Sequence, residues 1–243
     1  MSNLVDREVL AQATRMGYRS SDHMHDLGDG FIERMQGGAT KPEPKVVAEL
    51  ITGLMNETLD AYITRPATEL SLRPHILRSA MFAVNAVKKT GNVVIGRVTK
   101  KMSIEQNRGA ADYMDSLRVL FNEDDELVTY VGFPIDAELK GLAQTALPLA
   151  MEQELSAHNR ELADFLAVMF DNAAFYYLDQ PIGLMKFGPL MGKIVHVGAD
   201  AIKGALRSAI RDIVPKLNAE EAAGFAHYLA EMLFEWPDDN AAS

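Results

Sequence analysis

Apolar residues recur at helix spacing through much of the chain. Val47, Leu50, Ile51, Leu54, Met55 and Leu59 line one face of residues 45–63. Leu162, Phe165, Leu166, Met169 and Phe170 do the same across 158–178. Longer stripes follow each: Leu77, Met81, Val84, Val87, Val94, Val98 and Met102, then Leu190, Ile194, Ile202, Leu206, Ile210, Ile213 and Leu217. Both predict long amphipathic helices. Prolines punctuate them. Pro66 and Pro181 are expected to end the first helix of each set, and Pro74 and Pro189 to open the long helix that follows. Pro215 should stop or kink the second long helix early. Ser103 with Gln106, and Asn218 with Glu221, carry capping-box spacing and predict a further helix after each long one.

The two sets keep one register. Tyr62 and Tyr177 stand 115 residues apart, each four residues before a proline, in "AYITRP" and "YYLDQP". At that displacement Pro66 meets Pro181, Pro74 meets Pro189, Lys88 meets Lys203, Gly109 meets Gly224 and Tyr113 meets Tyr228. Helix-breaking and capping residues stay in step without an insertion. This pattern predicts an internal duplication. Upstream, 1–45 and 134–160 match poorly.

The expected fold is therefore all-α. Two related three-helix units, 46–124 and 161–243, pack about an approximate twofold pseudo-symmetry axis as one compact domain. Residues 125–160 supply a linker and a helix, with Pro148 expected to break or kink it. Residues 1–45 supply an N-terminal helical pair, over 3–17 and 20–36, set apart by the breaker "GGATKPEP". Within the inter-unit linker 122–134, "LVTYV" has the composition of a short strand.

Composition narrows the function. The 243 residues are 48% hydrophobic and carry a net charge of −10, ordinary for a core-forming chain and unfavourable for wholesale nucleic-acid binding. The absence of cysteine excludes thiolate catalysis and Cys-ligated metal sites. With no secretory signal and no long apolar run, a cytoplasmic location is the expectation. Charge is nevertheless segregated. Residues 71–102 hold seven Arg and Lys and no acid, whereas 103–124 hold five acids against two bases. The later segments repeat the alternation: 186–217 have six bases and two acids, and 218–239 have six acids and no base.

Catalytic and metal motifs are weak. "GNVVIGRVT" imitates a phosphate loop, but Arg97 and Val98 replace the Lys and Ser or Thr that phosphate and magnesium require, so Gly91 and Gly96 read as helix-packing positions. Asp22, His23, His25, Asp26 and Asp29 read as a polar helix start. Glu154, His158 and Glu161 share a helical face without the paired Glu-x-x-His pattern of a di-iron site. His196, between two valines, reads as a core histidine, and Gly188, Gly192, Gly198 and Gly204 as close-packing positions.

The expected role is that of a non-enzymatic binding or assembly protein, with a pocket or partner surface at the seam between the units. The matched pairs Arg78 and Lys193, Asn85 and Asp200, and Lys88 and Lys203 are the candidate binding residues. A protein partner or a small anionic ligand suits them, and neither a cofactor, a metal nor nucleic acid is expected. Homo-oligomerisation is compatible with the reading. Alternatives are a peripheral membrane protein using basic amphipathic helices 74–102 and 189–217, and an enzyme with a carboxylate/His site.

Overall fold

The computed structural model describes residues 15–235 except 71, 124–125, 157–158 and 186. The chain is mostly helical. Strand β1 (Arg15–Arg19) leads to α1 (Asp22–Gln36) and α2 (Pro44–Leu59). A π-helical turn (Asp60–Thr64) joins α2 to the short α3 (Arg65–Glu69), and the long α4 (Pro74–Val98) follows. A 3-10 turn (Thr99–Lys101) then leads to α5 (Ile104–Leu117), β2 (Arg118–Glu123) and β3 (Glu126–Pro134). The second half comprises α6 (Ala137–Met151), α7 (Arg160–Ala174), a π turn (Phe175–Asp179), α8 (Gln180–Leu184) and α9 (Pro189–Ile213). A 3-10 turn (Val214–Lys216), α10 (Ala219–Glu231) and β4 (Leu233–Phe234) complete it.

The expected helical character holds, with the addition of a small antiparallel sheet in the order β2-β3-β1-β4 that joins the halves. Of the expected N-terminal pair, the helix over 20–36 forms as α1, the end of the other falls in the strand Arg15–Arg19, and the rest of it lies outside the described residues. Local periodicity misses β1 because its pairing partners come from residues 130–134 and 233–234, far along the chain. "LVTYV" does lie in a strand, β3.

The elements themselves recur at the 115-residue displacement. The long helices span 74–98 and 189–213, the π turns 60–64 and 175–179, and the 3-10 turns 99–101 and 214–216. The recurrence extends upstream of the segments that match in sequence. Helix α1 spans 22–36 and α6 spans 137–151, although Gly17/Gly132 and Leu27/Leu142 are the identities between 15–36 and 130–151. In the sheet, Gly17 pairs with Gly132, its own counterpart. A Cβ on Gly17 would lie 2.6 Å from the Gly132 Cα, and one on Gly132 would lie 3.0 Å from the Met16 carbonyl. Only glycine permits that crossing.

Helix ends follow their residue chemistry. Ser103 with Gln106, and Asn218 with Glu221, both close capping boxes. Asp136 caps α6 through the Leu139 amide, as Ser21 caps α1 through that of Met24. Pro215 does not shorten α9 relative to α4, because it falls in the 3-10 turn after a helix of the same 25 residues. Pro148 lies within the last turn of α6, which continues to Met151.

Pro66 and Pro181 do not end their helices either. Each follows directly on a π turn, whose wider i→i−5 bonding accommodates the ring. The last π bonds run from the Arg65 amide to the Asp60 carbonyl and from the Gln180 amide to the Phe175 carbonyl. The next donor in each series would be proline, which has no N–H. The carbonyls left over belong to Ala61 and Tyr176. Each is taken up by a tyrosine of the opposite half: Tyr228 donates to the Ala61 oxygen at 2.7 Å and Tyr113 to the Tyr176 oxygen at 2.5 Å. Tyr228→Phe should lower stability by about 1–2 kcal/mol, the cost of an unpaired part-buried carbonyl. In a Pro66→Ala background the restored N–H can reach Ala61, and the same change should cost less than about 0.5 kcal/mol. Urea denaturation of the four proteins in that cycle measures the difference.

Candidate functional site

Helices α4 and α9 cross at the seam between the halves. Gly198 lets them approach, since a Cβ there would run into Val94. Leu59, Val84, Val87 and Ile202 form the packed part of this seam. Beside it the halves do not close completely. A cavity of about 190 Å³ opens between α2, α4 and α5 of the first half and the α7–α8 π turn and α9 of the second. Met55, Tyr62, Gly91 and Val94 face Phe170, Tyr177, Ile182 and Val195 across it. Among the described residues its lining holds no carboxylate, imidazole, amine or guanidinium.

A polar antechamber of about 470 Å³ adjoins this cavity. Ser103, Glu105, Gln106, Gly109 and Leu184 border it, and Ala110, Tyr113, Pro181 and Met185 are shared by both chambers. That threshold is well fixed. Tyr113 donates to the Tyr176 carbonyl and lies 2.9 Å from Gln180 Oε1. Gln106 joins the capping box of α5 to the Met185 carbonyl through its amide nitrogen. On the opposite flank of the seam, at the displaced positions, lies a smaller cavity of about 70 Å³ lined by Ala67, Ala80, Leu206, Ile210 and Phe225.

Tyr62 and Tyr177 occupy the centre of this arrangement. Tyr62 lines both cavities and is 2% exposed, held by Tyr18, Phe133 and Phe170 in edge-on and tilted ring contacts. The two hydroxyls approach one another closely enough for a weak mutual hydrogen bond, but its geometry is poor and neither bonds to any other group among the described residues. Burial pushes both phenols well above the usual tyrosine value. They remain protonated donors at any physiological pH.

The residues nominated from sequence lie elsewhere. Arg78, Asn85, Lys193 and Asp200 are exposed and Lys88 is half-buried, all on α4 and α9. None of the six lines the 190 Å³ cavity. Arg78 Nε donates to the Pro74 carbonyl of its own helix. Lys203 pairs with Asp179 at 3.0 Å and with Asp200 at 3.5 Å. His196 is exposed rather than a core residue, because its side of α9 faces away from α4. Of the polar clusters, His25 contacts Thr129 and Asp29, His23 contacts Glu49, and Glu161 accepts from Ser156. His158 lies outside the described residues. Gly91 and Gly96 are helical, as expected, and Gly91 faces Met55.

The sequence reading used Tyr62 and Tyr177 to set the register and did not assign them to the site. The available signal was a tyrosine four residues before a proline in both halves. Gly91 and Ala110 gave no signal, since a small residue on a helix is unremarkable until the opposite wall is known. Family models, curated proteins and solved structures yield no match to this chain.

One ion pair ties the halves together near the seam. Arg73 donates to both carboxylate oxygens of the buried Glu221 and to the Lys216 carbonyl. Burial acts to raise the Glu221 pKa, but hydrogen bonds from Arg73 and from the Asn218 and Arg73 amides prevail and hold it below the usual 4.5. A depressed carboxyl pKa adds stability that is complete above the unfolded value and lost as pH falls through the folded one. Glu221→Gln should therefore lower the melting temperature at neutral pH, and its deficit should vanish on acidification below 4 or so (about the ordinary carboxylate range). Thermal melts across that pH range test this.

Proposed function

We propose that this chain is an internally duplicated, non-enzymatic binding protein whose seam cavity takes an apolar or amphipathic small molecule. The duplication runs from β1 to β4, with an approximate twofold axis near the Gly17–Gly132 crossing. It is supported by the common 115-residue displacement of turns, caps, prolines and paired tyrosines.

The observation that carries the binding reading is the pair of buried phenols, Tyr62 and Tyr177, which line a largely apolar cavity and whose hydroxyls meet only each other, without good hydrogen-bond geometry. Buried polar groups are ordinarily hydrogen-bonded, and leaving one unpaired costs about 1–3 kcal/mol. A ligand oxygen accepting from them recovers that cost. The size is adequate, since a dry apolar cavity of about 150 Å³ already admits benzene. An apolar ligand also supplies the dispersion contacts that the lining lacks around this space. The lining offers no general base or nucleophile, which favours holding a ligand over transforming it.

Displacement of the neutral fluorophore N-phenyl-1-naphthylamine tests the reading. The probe should brighten on binding, and decan-2-one should displace it better than decane. In the Tyr62→Phe/Tyr177→Phe protein the ketone's advantage should fall about tenfold, the worth of one to two hydrogen bonds. Apo stability should change by no more than about 1 kcal/mol, since the two hydroxyls removed together share only a poor hydrogen bond with each other. Absence of probe binding, or an undiminished ketone preference, refutes the assignment.

A second reading, peripheral attachment to an anionic membrane, is favoured by the outer face of α4 and α9. Phe82 and Val197, a matched pair, are 77% and 61% exposed, with Arg78 and Lys193 one turn before them. Apolar side chains beside exposed cations suit an anionic bilayer surface. Phosphatidylserine vesicles should then co-sediment the protein, and Arg78→Glu should abolish this without lowering the melting temperature. A lower melting temperature with no vesicle binding would instead assign Arg78 a structural role.

A further inference from the structure

The two flanks of the seam are unequal. On one side lies the 190 Å³ cavity with its antechamber, and at the displaced positions lies one of 70 Å³. Two residue pairs have markedly smaller members on the open side. Gly91 on the open side corresponds to Leu206, and Ala110 to Phe225. Larger residues at Ile182, Phe187 and Val195, in place of Ala67, Leu72 and Ala80, offset part of the gain from the opposite wall. Position decides between these contributions. Ala110 is 5% exposed and is one of four residues shared by the cavity and its antechamber. It therefore borders the connection between them. Phe225 brings an aromatic ring to the matching point of the other flank.

We infer that Ala110 is the specificity-determining threshold of the seam site, and that Phe225 plugs the equivalent entrance. The inference rests on the proposed binding role and adds three statements to it. The chain takes one ligand, not two. The ligand enters through the antechamber bordered by Ser103, Glu105 and Gln106. It is an elongated molecule whose leading end passes Ala110 and brings an acceptor oxygen toward Tyr62 and Tyr177, while a second polar group stays among the Ser103, Glu105 and Gln106 side chains. Gly91 instead admits the Met55 side chain, whose sulfur occupies the space a Cβ would take, so the opening on this flank depends on Ala110.

The test uses the full chain and N-phenyl-1-naphthylamine, with far-UV circular dichroism as the folding control. The wild-type protein should bind one probe. Ala110→Phe should weaken binding about tenfold or more, because a ring filling the threshold leaves the probe either excluded or overpacked. Phe225→Ala should create a second, independent probe site, raising the stoichiometry to two. Should Ala110→Phe fail to fold, the stoichiometry of Phe225→Ala decides. A folded Ala110→Phe that binds like the wild type, or a folded Phe225→Ala that still binds one probe, overturns the inference. Failure of the wild type to bind any probe overturns the binding role itself, so the two failures are distinguishable.

Discussion

The fold depends on how it handles two prolines. Pro66 and Pro181 sit inside continuous helical runs, where a missing N–H ordinarily breaks the structure. The π turns before them absorb the rings but leave one carbonyl each without an intrahelical donor. A tyrosine from the opposite half supplies the donor in both places, Tyr228 to Ala61 and Tyr113 to Tyr176. The halves therefore hold each other at a point where each is locally incomplete. Burial alone holds surfaces together without fixing their register, because the hydrophobic effect has no direction. These two hydrogen bonds have direction, and the Gly17–Gly132 crossing adds a contact that tolerates no slippage.

The cavity follows from that arrangement. The π turns project Tyr62 and Tyr177 toward the seam, and the cross-bonds of Tyr113 and Tyr228 set how closely the halves approach. Once the backbones are held this way, side-chain volume decides what remains between them. Ala110 leaves space on one flank where Phe225 stands on the other, and Gly91 admits Met55 where Leu206 stands. Unequal side-chain volume at positions 115 residues apart goes with chambers of about 190 and 70 Å³ on the two flanks. Two of the larger chamber's polar groups, the buried phenols of Tyr62 and Tyr177, are kept as neutral donors by the low polarity around them.

Charge contributes at the edges. Arg73 and Glu221 link α4 to α10 across the seam, and Lys203 and Arg207 reach Asp179 and Asp171 within the second half. The alternation of basic and acidic segments is thus partly spent on internal pairs. The first-half cations Arg78, Lys89 and Arg97 instead lie exposed along α4. An acidic chain can carry such a face without self-repulsion spreading further, because salt screens exposed charges beyond about 10 Å.

Much of the helical plan was legible because it rests on local physics. Apolar spacing marked α2, α4, α7 and α9, and the residues of both capping boxes lie within one turn of the amides they satisfy. The 115-residue register was visible for the same reason: prolines and caps act where they stand. Strand β1 was not legible, since its hydrogen bonds go to residues 130–134 and 233–234. The role of Pro66 and Pro181 was misjudged because their compensation comes from tyrosines that belong to the other half of the chain. The site was hidden for a related reason. A cavity is a property of two walls, and Ala110 becomes a threshold only when Pro181 and Met185 are brought opposite it. The sequence by itself determined which segments are helical and where they start, through periodicity and capping. Only the tertiary structure decided the sheet, the cross-braced π turns and the unequal flanks of the seam, because each depends on contacts between residues far apart in the chain.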